Sequence, residues 1–158
     1  MNEEGTTSAT HSQTSAAGES VTAGIVRQWW LLASVAALQV AAAAVLRVVP
    51  LSALRAATTR CRRFAQFLLR VSSREHVAWA IDATGRRLGR ASSCLARAVV
   101  AEMLLGSAGG PVSLTLGVRH TPAGAFEAHA WVTSADRVLV GAPADGYTPI
   151  VTWTSPSA

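Results

Sequence analysis

The chain has 158 residues, half of them hydrophobic and only 15% charged, with two cysteines: a single apolar domain with tails, long enough for a modest core and too poor in cysteine for a disulfide framework. All fourteen cations are arginine, and three of the nine acids fall in the first twenty residues, which leaves fourteen arginines against six carboxylates from residue 21 onward. That balance suits an acidic lipid surface or an acidic peptide. The absence of any nucleic-acid module signature argues against RNA or DNA, and no Cys/His spacing suits a metal.

Residues 1–22 are rich in Ser, Thr, Ala, Gly and Glu, with little to bury, and are expected to form a disordered tail. They lack the basic start and apolar core of a secretion signal. Residues 23–74 read as an apolar helical region. From Trp29 to Leu46 the only polar residues are Ser34 and Gln39; that stretch as helix is ~27 Å long, just short of a bilayer core. Arg27 with Trp29-Trp30 at one end and Arg47 at the other can serve as interface anchors. A span, a peripheral membrane contact and a closely packed Ala-rich core helix all stay open. Alanine contributes little to insertion, which weighs against the span.

Leu51, Leu54, Ala57, Cys61, Phe64, Phe67, Leu68 and Val71 recur at three-to-four spacing and predict a second helix over 51–72. Its other face carries Arg55, Arg60, Arg62, Arg63 and Arg70; Cys61 is read as an incidental thiol. A short helix over 75–88 follows, broken by Gly85 and Gly89, with His76 on the surface. Ser92-Ser93 ahead of an apolar run then marks a helix start and puts Cys94 in the first turn of a helix over 92–105. Unpaired N–H groups and the positive dipole end favour negative charge on a sulfur there. A single working thiol suits a reducing compartment, the cytoplasm. Gly106–Gly110 lacks the lysine and the preceding strand of a phosphate loop.

Beyond Pro111 the apolar period falls to two. Residues 112–119, 126–133 and 138–141 read as strands, joined by turns at Thr121–Gly124 and Ser134–Arg137. The fold class is therefore α+β, a helix-rich N-terminal part followed by an antiparallel meander. His129, delivered by the second strand, can act as proton partner to Cys94, the pairing used in nucleophilic acyl transfer. Trp131 shares its strand face. A two-residue turn at Ala135-Asp136 sets His129 opposite Ala142, where Gly141-Ala142-Pro143 offers no carboxylate.

Cys94-Leu95-Ala96-Arg97-Ala98, then Leu116-Gly117-Val118-Arg119, then Glu127-Ala128-His129-Ala130-Trp131-Val132 together resemble the transglutaminase-like protease of lasso-peptide gene clusters, the microcin-processing leader peptidase. Val138–Gly141 and Tyr147–Ile150 are similar to the family's ending, so the resemblance covers residues 75–153. It implies a transglutaminase-like or papain-like cysteine protease core over 75–158, in the discrete form without a leader-recognition domain. Cys94 would attack the carbonyl that ends the leader. His129 would take the thiol proton and return it to the departing amine, and water would release the leader. The Cys94 backbone N–H would hold the oxyanion. The implied partners are the precursor peptide, a separate leader-recognition protein and a lasso cyclase; no cofactor and no metal are implied.

The family places an orienting Asp on the strand after His. Asp145, reached through the Pro143–Gly146 loop, completes the expected set of Cys94, His129 and Asp145. Asp136 reads as a turn residue, and Glu127 lies along the strand of His129 itself. Two other readings stand beside this one. One is a non-catalytic scaffold of the same fold, docking precursor and maturation partners, for which the missing carboxylate speaks. The other is a membrane-associated helical protein whose Cys94 is incidental. Transamidation would use the same Cys–His pair.

Overall fold

The computed structural model describes residues 8–58, 65, 72–107, 110–135, 137–143 and 145–155, with backbone alone at 8–21, 23 and 58. Helix α1 spans Ser8–Val45. It therefore takes in residues 8–22, where composition leads one to expect a tail. No proline precedes Pro50, so a helix nucleated in the apolar segment can propagate back one residue at a time.

Leu31, Val35, Gln39 and Ala42, spaced four, four and three apart, form the inner stripe of α1 and are buried. Gln39 is fully buried yet satisfied. Its Nε2 donates to the Ile81 carbonyl at 2.9 Å and to Thr84 Oγ1 at 2.7 Å, and its Oε1 accepts from Ser92 Oγ at 2.7 Å. One amide so ties α1 to the next long helix and to the turn that precedes Cys94.

After Pro50, α2 spans Leu51–Thr58, the first part of the helix expected over 51–72. Ala65 is helical and buried, whereas Cys61, Arg60, Arg62, Arg63 and Arg70 lie outside the described residues. Helix α3, Arg74–Leu88, is capped by Ser73, whose Oγ accepts the His76 N–H. Gly85 does not break it as expected: it is buried inside the helix, where the aliphatic part of Arg97 occupies the space a Cβ would need. Gly89, at φ 51°, does end it. A 3-10 turn over Gly89–Ala91 leads into α4, Cys94–Leu105, the central helix, buried along nearly its whole length from Ala96 on.

The three expected strands are present as β1 (Val112–His120), β2 (Phe126–Ser134) and β3 (Arg137–Val140). A fourth, β4 (Thr148–Ser155), adds to them, and the sheet order is β3-β2-β1-β4. The expected α+β class is present, with β1-β2-β3 as its antiparallel meander, and β4 extends it: the chain crosses from β3 to the far side of β1. Ser134 pairs with Arg137, as a two-residue turn requires, and Ala135 takes φ 45°. A bulge between Val132 and Thr133 then shifts the partners on β3. Val112, Leu114, Ala130 and Val132 point to the helices and close the core with Ile81, Val99 and Leu104.

Gln39→Ala would strand the Ser92 hydroxyl and remove two donated bonds. It is expected to lower the unfolding free energy by about 2–3 kcal/mol, measured by urea denaturation, while Phe126→Ser at an exposed site changes it by less than about 0.5 kcal/mol.

Candidate active site

Cys94 is the first residue of α4, half-buried and a free thiol, and it packs against the core. Ser93 makes this start. Its extended backbone (φ −74°, ψ 160°) turns the chain into the helix, its Oγ accepts the Ala96 N–H at 3.1 Å, and its carbonyl accepts the Arg97 N–H. The N–H groups of Cys94 and Leu95, in the first turn, have no acceptor four residues back within the helix. They form the kind of donor pair that can face a developing oxyanion.

His129 sits in the middle of β2 opposite Gly117 of β1, half-buried. Its Nε2 lies 3.0 Å from the Gly141 carbonyl oxygen. A carbonyl only accepts, so this bond fixes the proton on Nε2 and leaves Nδ1 as the basic nitrogen. The ring stacks on Trp131 with centroids 6.2 Å apart and planes 19° apart, and Tyr147 lies 5.4 Å away. Glycine shapes both sides of this cluster. At Gly141 (φ 71°) a Cβ would stand 2.9 Å from the Ala130 carbonyl, and at Gly117 it would stand 2.6 Å from the Trp131 ring.

Beside the histidine, Arg119 Nε donates to Glu127 Oε2 at 2.8 Å and its guanidinium lies 4.7 Å over the Tyr147 ring. The Tyr147 hydroxyl donates to the same carboxylate at 3.3 Å. The hydrogen bond from Arg119, reinforced by its charge, holds the Glu127 carboxyl below the usual glutamate range and raises Arg119 in turn.

The elements of the expected pair are neighbours, since α4 packs on β2. The side chains are not joined. Strand alternation sends Ala130 and Val132 to the helices and His129, with Trp131, to the other face. Among the described residues no hydrogen bond links Cys94 to His129. Asp145, expected to orient the ring, is exposed in the turn before β4, and the Gly141 carbonyl makes the bond assigned to it. Asp136 lies outside the described residues. His76 is exposed as expected, edge-on to Trp79. Among the described residues no three His, Cys, Asp or Glu side chains gather as a metal would require.

Two partners of His129 escape a reading of side chains. Gly141 contributes only backbone, and its signal was the position opposite His129 without a carboxylate. Tyr147, the only tyrosine in the chain, carries no spacing signal that would place it there.

The profile of the transglutaminase-like superfamily matches residues 30–152, from within α1 to within β4. No curated protein and no solved structure matches the chain.

Because its folded value is depressed, Glu127 contributes stability that is present above the unfolded carboxyl value and is lost as pH falls through the lower folded one. Arg119→Leu is expected to return the Glu127 midpoint to the ordinary range, followed through carboxyl carbon shifts by NMR. A midpoint that stays low would remove Arg119 as the cause.

Proposed function

The chain belongs to the transglutaminase-like superfamily, and we propose that within it the protein is a cysteine peptidase that removes the leader from a lasso-peptide precursor. The superfamily includes cysteine proteases and transglutaminases. The observation that carries the reading is Cys94 at the first position of α4, under the Ser93 cap, at the helix end where the first-turn N–H groups lie.

In this reading Cys94 Sγ adds to the carbonyl at the leader's end while His129 Nδ1 takes the thiol proton. Collapse of the tetrahedral species breaks the C–N bond, the core amine leaves with that proton, and water then hydrolyses the thioester to free the leader. The reading implies the precursor, a separate leader-recognition protein and a lasso cyclase as partners, working in the cytoplasm. A second reading has its own observation: the His129 ring is held by the Gly141 carbonyl on the sheet face away from α4. On that reading the same fold docks the precursor and its maturation partners without chemistry.

The test is mass spectrometry of a lasso precursor incubated with the protein and a leader-recognition partner. One cut is expected, and it should fall by about a hundredfold or more in Cys94→Ala and in His129→Ala, both retaining the native circular dichroism. An intact precursor that still co-elutes with the folded protein would favour docking. In Asp145→Asn an unchanged rate would leave orientation of the ring to Gly141, whereas a loss would restore Asp145 to that role.

A further inference from the structure

Helix α1 has two apolar sides, and the core uses only one. Opposite the stripe of Leu31, Val35, Gln39 and Ala42, every exposed residue from Trp29 to Leu46 is apolar: Trp29, Trp30, Ala33, Ala37, Val40, Ala41 and Ala44. This free face runs for ~23 Å and carries the two tryptophans 64% and 71% exposed, with Ile25 and Val26 beside them. A patch of that kind on a single helix marks a surface that meets something apolar.

We propose that the free face of α1 lies flat on an anionic lipid surface, with Trp29 and Trp30 at headgroup level and Arg27 and Arg47 on the phosphates. Charge selects this occupant. The exposed Arg27 and Arg47 bracket the free face, and from Ser20 through Arg74 the chain holds none of its nine acidic residues. Cations near an anionic leaflet each add about 1 kcal/mol of attraction, and paired aromatic rings with flanking arginines suit the water–lipid boundary. A second copy seated on the same face would bring two such cationic stretches together, which costs instead of gaining. Attachment to the core decides the depth. The Gln39 amide bonds Ile81, Thr84 and Ser92, so α1 keeps protein along one side and meets lipid along the other instead of crossing the bilayer. This contact is independent of the peptidase reading.

Sedimentation of the full chain with vesicles tests it. Binding is expected to phosphatidylcholine vesicles containing about one-third phosphatidylglycerol, weakened by high salt, and absent with phosphatidylcholine alone. Trp29→Ser combined with Trp30→Ser is expected to lower the bound fraction about tenfold or more. Both positions are exposed, so circular dichroism and urea midpoint should stay unchanged. Equal binding by the double variant would overturn the proposal. So would no binding by a monomer, and so would a dimer in light scattering that the double variant dissolves. Retention in the vesicle pellet through alkaline carbonate would show a span and overturn it as well.

Discussion

A fully buried amide is tolerated only where each of its polar atoms finds a partner, and Gln39 sets that condition on three segments at once. Its donors take the Ile81 carbonyl and the Thr84 hydroxyl of α3, and its acceptor takes the Ser92 hydroxyl. Ser92 is one residue before the cap of α4 and two before Cys94. The start of α4 is thereby fixed relative to α1 and α3 by directed bonds, where apolar packing among so many alanines would leave room to slide. Glu102 fixes the other half of α4. It pairs with Arg55 of α2 and accepts from Ser155 of β4, and Arg55 lies over Trp153. Two polar attachments on either side of an apolar core set where the thiol stands.

The histidine is governed by different constraints. Its ring is held by a neutral carbonyl, stacked on Trp131 and approached by Tyr147, on the face of the sheet that the core does not use. A carbonyl fixes orientation and tautomer as a carboxylate does, but it brings less charge to stabilise an imidazolium. The carboxylate of the cluster, Glu127, is already engaged by Arg119 and Tyr147. The peptidase reading therefore leans on the cysteine end of the pair, and the docking reading on the histidine end. What separates them is whether the β2 face that carries His129 can present its ring to the thiol.

Much of this was legible in the sequence. The serine cap, the 3.6-residue period of α4 and the two-residue period of β1 and β2 each rest on local chemistry, and local chemistry is what a single chain displays. The tight turn between Ser134 and Arg137 was legible for the same reason. Strand β4 was not, because its pairing with β1 is a long-range choice, made after the chain crosses the sheet between β3 and Tyr147. Gly85 misled because a glycine in a helix reads as a break, although here it makes room for Arg97. Proximity in sequence points to Asp145, whereas the ring meets a backbone oxygen, a partner that no residue type announces.

The same limit applies to α1, whose apolarity alone cannot separate a buried helix, a span and a surface helix. One residue separates them. In hydrocarbon the Gln39 amide would lose its partners at a cost of several kcal/mol; in this fold all three of its polar contacts are made by protein. That puts one side of the helix in the domain. The other side then presents two exposed tryptophans and a row of alanines, in a stretch of chain from which every acidic side chain has been left out. Burial explains the inner stripe, and solubility alone would have placed carboxylates on the outer one. Their absence from Ser20 to Arg74, set against six among the residues that follow, is what an anionic lipid partner requires and what a free aqueous surface does not.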